Sequence, residues 1–246
     1  METQRVVGRA SWVVSRVGRV VVWLVAGVVL VVACATEPPT SEDLAAALVV
    51  AGDLEGEWTV DLGPDDAAEP LSGVVTDEQR ALLPSIDLCE AAPDEARAAV
   101  DRLEWKAFRQ LNRAVDDPVN PPIDREGHVV FVQEFLLSGS ASDLAADFDV
   151  LRDGLDACLG DIPAGEEGPG FVSAVSLSDI GNQRAGYLYE IGEAGGSGTW
   201  HVYSIFVRKG DVLLSMTVAD VVLGDLEPIV DQQLVDEMVR VAVDKL

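Results

Sequence analysis

The chain has 246 residues, with 43 acidic and 17 basic side chains, and its formal charge at pH 7 is −26. This excess of negative charge argues against nucleic acids and anionic lipid headgroups as partners. The length and an apolar fraction of 48% allow one globular domain with a sizeable core. Glycine-rich phosphate loops, nucleophile elbows and paired-histidine zinc motifs are missing from the sequence. We therefore expect no enzyme activity, no cofactor and no metal site.

A charge-free apolar run of 14 residues, Val20–Ala33, follows four arginines and ends directly at Cys34. Its length suits the core of a signal peptide and falls short of the roughly 20 residues that a membrane-spanning helix needs. Small residues leading into a cysteine resemble the lipobox of bacterial lipoproteins, whose cysteine is diacylated after the leader is cut away. The alternative is an uncleaved N-terminal anchor helix with an incidental cysteine.

The lipobox interpretation fixes the predicted organisation of the whole chain. Residues 1–33 form a lipoprotein signal peptide, and Cys34 carries the lipid, typically palmitate, that holds the protein on the extracytoplasmic face of the cell membrane. Residues 34–43, with two prolines and small polar side chains, form a tether. Residues 44–246 form a single domain.

Hydrophobic periodicity and turn residues predict the elements of this domain in chain order. Helices are expected after Ser41, after Pro93, over Ser142–Leu159 and over Asp231–Leu246. Strands are expected over Glu57–Leu62, Trp105–Leu111, Gly127–Leu137, Phe171–Leu177, Arg184–Ile191, Thr199–Arg208 and Val212–Ala219. Short hairpin links, such as the Lys209-Gly210-Asp211 turn, imply antiparallel pairing. The predicted fold class is α+β, an antiparallel sheet of about six or seven strands with helices packed on one face.

Cys89 and Cys158 are the two cysteines that remain beyond Cys34. Thiols outside the membrane face oxidising conditions, so an even pair predicts a disulfide. The alternative is two unconnected buried thiols. No spacing of His, Cys and carboxylate side chains indicates a metal site.

Glu134 interrupts an apolar strand on the face that carries Val130 and Val132. A carboxylate at such a position must be paired or must face water. Arg109 and Arg184 are its candidate partners in a cross-strand ion pair. The alternative is a polar group that orients a ligand between the sheet and the helices, and Glu134, Arg109 and Arg184 are then the candidate ligand-binding residues.

Five short segments, in their order and spacing, carry a resemblance to a known family. They are Trp105–Leu111 (WKAFRQL), Phe131–Phe135 (FVQEF), Leu151–Cys158 (LRDGLDAC), Asp179–Gly181 (DIG) and Val207–Asp211 (VRKGD). The sequence resembles the actinobacterial lipoproteins related to the extracellular sensor domain of the mycobacterial kinase PknH. The resemblance implies an antiparallel sheet flanked by helices, a ligand-binding cleft and bracing disulfides, although this chain has one possible bridge where the kinase domain has two. Only three of the 17 basic residues are lysines, which is typical of GC-rich genomes such as the actinobacterial ones.

Two functional hypotheses follow from the sequence and the resemblance. The first is a membrane-anchored extracytoplasmic lipoprotein with a non-enzymatic, sensor-type domain that binds an unknown small molecule. The second is an accessory or structural lipoprotein that docks on another envelope protein. A groove lined by apolar and aromatic side chains would support the first, and a broad exposed apolar patch would support the second.

Replacing Cys34 tests the anchor directly. Because acyl chains on its sulfur would hold the protein at the bilayer, a Cys34→Ala variant should move from the membrane fraction to the soluble fraction of the host. Unchanged fractionation would mean that the apolar run Val20–Ala33 is itself the anchor.

Overall fold

The computed structural model describes residues 37–60, 73–75, 89, 91–113, 127–162, 169–192, 198–224 and 226–246. Within these residues the chain forms four α-helices: α1 Ser41–Ala47, α2 Asp94–Asp101, α3 Ala141–Asp156 and α4 Gln232–Lys245. It also forms nine strands: β1 Trp58–Val60, β2 Gly73–Val74, β3 Ala107–Arg113, β4 Gly127–Ser138, β5 Gly160–Ile162, β6 Gly170–Ala174, β7 Gln183–Gly192, β8 Gly198–Lys209 and β9 Val212–Leu223. The predicted signal peptide and Cys34 lie outside the described residues.

The strands join into one antiparallel sheet in the order β1-β3-β4-β9-β8-β7-β6-β5, with β2 also paired to β3. Its centre is the β4–β9 pair, whose register runs without interruption from Gly127 opposite Leu223 to Ser138 opposite Val212. The predicted β8–β9 hairpin is present, and Gly210 takes the positive φ of 63° that its tight turn requires. The predicted α+β class with an antiparallel sheet is confirmed. The strand count is higher than predicted because β2 and β5, of two and three residues, are too short to produce a periodic signal.

The expectation that helices cover one face of the sheet is wrong, because helices pack on both. In β9, Leu214, Met216 and Val218 share a core with α1 and α4. Leu213, which points to the opposite face, shares a second core with α3. The central strands are apolar on both faces, and each face needs its own cover.

Helix α3 owes its position to one apolar stripe and to two fixed ends. Ser140 caps its N-terminus by accepting a hydrogen bond from the Asp143 amide. The buried stripe consists of Leu144, Phe148, Leu151 and Leu155. Near the C-terminus, the Tyr187 hydroxyl of β7 donates to Asp156 Oδ1 at 2.9 Å.

The predicted disulfide is confirmed: Cys89 and Cys158 are bonded, with their Cα atoms 5.6 Å apart. The bridge ties the segment before α2 to the end of α3. Among the described residues, none of the helices combines the length and the apolar character needed to cross a bilayer.

Removing the bridge should lower the stability of the domain. Joining residues 69 apart restricts the unfolded chain by about 4 kcal/mol in the loop-entropy model. A Cys89→Ser, Cys158→Ser double variant should therefore lose stability of that order in urea unfolding. Equal midpoints for the double variant and the oxidised wild type would contradict a stabilising role.

Candidate functional site

The sheet brings two of the three predicted ligand-binding residues together. Arg109 of β3 lies directly opposite Glu134 of β4 in the antiparallel register. Arg184 lies on β7. Strands β9 and β8 lie between β4 and β7, so the backbones of β4 and β7 are roughly 14 Å apart at the usual strand spacing. The Arg184 guanidinium bonds Asp179 at 2.8 Å. Arg184 is therefore no partner of Glu134, because strand order separates them.

Glu134 and Arg109 together hold a piece of the chain's own backbone. The amide of Val49 donates to Glu134 Oε2 at 2.7 Å, and Arg109 Nη1 donates to the Val49 carbonyl at 3.2 Å. Glu134 is 2% exposed. Its second oxygen, Oε1, is buried without a hydrogen-bond partner among the described residues. That these residues bind a ligand stays a prediction, since the contacts described here are made to the segment that follows α1.

Two further side chains bond to the same segment. They are Lys245 in the last turn of α4 and Asp53 in a short 3-10 turn, Ala51–Asp53. Lys245 Nζ donates to the Leu48 carbonyl at 2.8 Å and to Asp53 Oδ2 at 2.5 Å. Asp53 Oδ2 also accepts from the Val50 amide at 2.9 Å. Residues Leu48–Asp53, which we call the latch segment, are thus bonded to side chains from β3, β4 and α4.

Burial dominates the titration of Glu134 and raises the pKa of its carboxyl to about 7. The Val49 amide and the positive charges of Lys245 and Arg109 act in the opposite direction, and the charge of Asp53 adds a small further rise. The pKa of Asp53, by contrast, is lowered mainly by its hydrogen bond with Lys245. Glu134 therefore changes its charge near neutral pH, whereas Asp53 is already ionised there.

A second polar cluster lies on the same face and was not found from the sequence. Asp220 of β9 is fully buried. One of its oxygens lies 3.0 Å from Nδ1 of His128, and the other accepts from the amides of Ile229 and Val230. His201 lies opposite Asp220 on β8. One carboxylate oxygen therefore fastens the segment before α4 and the other holds His128 of β4, which is a structural role.

The opposite face of the sheet, on the side of α3, carries a row of apolar residues near the end of the central strands. We call this row the open apolar face; its members are Val129 of β4, Val221 of β9, Trp200 of β8 and Ile191 of β7, adjacent in register. Trp200 is 46% exposed and Val129 40%. Among the described residues, the two buried hydrophobic cores include none of these four side chains.

The two faces of the sheet differ in the groups that they carry. Over the part of the chain that the structure describes, no group of three or more His, Cys, Asp or Glu side chains is placed to hold a metal ion. The Glu134 contacts hold the chain itself, and Asp220 holds a loop. On the open apolar face the exposed Trp200 and Val129 lie in one row with two further apolar residues, so this face is the candidate binding surface.

The Glu134 carboxyl predicts an unusual dependence of stability on pH. The unfolded chain loses this proton near pH 4.5 and the folded chain near pH 7. The folded state therefore holds the extra proton between these values, and its stability falls as the pH rises through that window, by on the order of 3 kcal/mol.

A Glu134→Gln variant should lose this contribution because its side chain stays neutral. In urea unfolding from about pH 5 to about pH 8, the wild type should weaken relative to the variant. Parallel curves for the two proteins would contradict the burial of an ionisable group at this site.

The comparisons with known proteins include a structural neighbour of this chain. No family model matches the chain, and no curated protein matches it. The chain is similar to the crystal structure of the extracellular domain of PknH from Mycobacterium tuberculosis, with 14% sequence identity and a TM-score of 0.47. The match covers 85% of this chain and 97% of the PknH chain. The function proposed for this chain therefore rests on its own residues.

Proposed function

We propose that this chain is a lipoprotein anchored through Cys34 on the extracytoplasmic face of the cell membrane, with a non-enzymatic, sensor-type binding domain. The single observation that carries the binding role is the open apolar face. On this proposal the bound molecule covers Trp200 and Val129 and removes their apolar surface from water. The anchor keeps the domain in the layer where its partner is found.

Two features support the extracytoplasmic location. The Cys89–Cys158 disulfide is a bond that persists in oxidising compartments and is rare in the cytosol. The arginine-flanked apolar run that ends at Cys34 has the order of a signal peptide. Both features are independent of the binding surface.

The composition of the open apolar face supports a role in binding. Trp side chains are enriched among the residues that contribute most to binding interfaces, because they combine a large apolar area with few rotatable bonds. The next row along these strands, which includes Phe131, Ala219 and Val202, is also apolar, and the row beyond it includes Gln133, Thr217 and Ser204. Trp200 and Val129 therefore belong to a larger apolar area on this face of the sheet.

The exposure of these side chains bears on the choice between the two hypotheses. Side chains that line an enclosed pocket for a small ligand are mostly shielded from solvent, whereas Trp200 is 46% exposed. This observation favours the second candidate function, docking on another envelope protein. Charge adds to it, since α3 carries five aspartates and one arginine: Asp143, Asp147, Asp149, Asp153, Asp156 and Arg152. A partner with basic groups around an apolar surface would fit this side of the domain.

A Trp200→Asp variant tests the proposal. Wild type and variant, each with Cys34 intact, would be purified from host membranes after mild cross-linking and analysed by mass spectrometry. We expect the wild type to carry an associated species, and Trp200→Asp to bind it about 30-fold more weakly, as for loss of a central aromatic residue.

Val74→Asp is the matched control, because Val74 is also about two-fifths exposed, at 42%, but lies on β2 at the far edge of the sheet. This variant should retain the species. A small added mass would support ligand binding, and a protein-sized one would support docking. A bare wild-type chain, or a species that both variants keep, would contradict the proposal.

A further inference from the structure

We propose that the latch segment, Leu48–Asp53, is proton-sensitive: it closes over the sheet while Glu134 is neutral and lifts from the sheet when Glu134 ionises. The latch lies on the α4 side of the sheet, on the face opposite Trp200 and the open apolar face. The inference therefore stands whether or not a partner binds there.

The first support is that the closed latch depends on one carboxyl for its central contact. The Val49 peptide is held at both ends, its amide by Glu134 and its carbonyl by Arg109. Leu48 and Val49 are at most 1% exposed and belong to the same core as α4. Burial of these two side chains favours the closed position at any pH.

The second support is the environment that an ionised Glu134 meets in the closed position. The charged groups that face it are Arg109 from β3, Lys245 from α4 and Asp53 from the 3-10 turn. Lys245 is already bonded to Asp53 and to the Leu48 carbonyl. From β9 the opposite residue is Met216, which carries no charge. The negative charge is thus only partly compensated.

The unpartnered oxygen of Glu134 favours opening of the latch once the carboxyl is ionised. Glu134 Oε1 is buried without a hydrogen-bond partner among the described residues, which costs less for a neutral carboxyl than for an anion. Lifting the latch lets water reach this oxygen. Protonation and water access therefore favour opposite positions of the same segment.

The chain before the latch is held independently of Glu134. The Ser138 hydroxyl of β4 donates to the Pro39 carbonyl at 2.6 Å, and Leu44 of α1 is 1% exposed in the same core. Opening of the latch is therefore confined to Leu48–Asp53.

Amide hydrogen exchange measured against pH tests the latch in the full-length protein. The reporters are the amides of Val49, Val50 and Asp53, and the reference for global unfolding is the amide of Val218 in central β9. Water access in the open position should return the Glu134 pKa from about 7 to its ordinary value of about 4.5. Opening should then increase about 30-fold between about pH 5.5 and about pH 8.5, with a plateau above neutral pH. Because global unfolding also frees Glu134, the Val218 amide should show a similar trend but stay much better protected than the reporters at every pH.

Two variants complete the design. Glu134→Gln should keep the reporters protected across the range, whereas Glu190→Gln, a matched change at a half-exposed glutamate on the same face, should behave like wild type. The latch is excluded if the protection of the wild-type reporters does not respond to pH, if the reporters are as well protected as Val218 across the range, or if Glu134→Gln responds equally. If Glu190→Gln abolished the pH response, the effect would come from surface charge, and the latch would also be excluded. Should Glu134→Gln fail to fold, the wild-type curve decides: an increase that does not level off near neutral pH excludes the latch.

Discussion

The pairing of β4 with β9 is the constraint on which the rest of the structure depends. Each strand has 12 residues, and both present apolar side chains to both faces, so the sheet needs two helical layers. α1 and α4 cover one face, and α3 with α2 covers part of the other. Within the described residues, the helical cover on the α3 side stops before the last rows of the strands. Trp200 and Val129 lie there, so the candidate binding surface is the part of this face that the described helices leave uncovered.

Much of the fold could be predicted from local patterns. The apolar stripe of α3 and the hairpin between β8 and β9 gave clear periodic and turn signals, and the cysteine pair needed only the redox argument. The prediction of a single helical layer was wrong because the short hairpin links suggested a sheet with one solvent-exposed face. The residues Val129–Leu137 already contain consecutive apolar side chains, which is typical of a strand buried on both faces. This pattern indicates a helical layer on each face of the sheet.

The candidate site was less predictable, because it depends on strand order. Arg109 could be paired with Glu134 because β3 and β4 are sequential neighbours, whereas the distance to Arg184 required the whole sheet. Asp220 was missed because the predicted strand ended at Ala219, whereas the strand continues to Leu223. Its partner His128 lies 92 residues away. The contact between Glu134 and the backbone of Val49 has no sequence signal, because a backbone amide is present at almost every residue.

The proposal that the uncovered sheet face meets a partner is tested most directly by oxidative footprinting. Hydroxyl radicals would be applied to intact host envelopes and to the purified protein, with the buried Trp105, 8% exposed, as the internal reference. The account predicts that Trp200 oxidises readily in the purified protein and falls toward the level of Trp105 in the envelope. Equal oxidation of Trp200 in both preparations would contradict it.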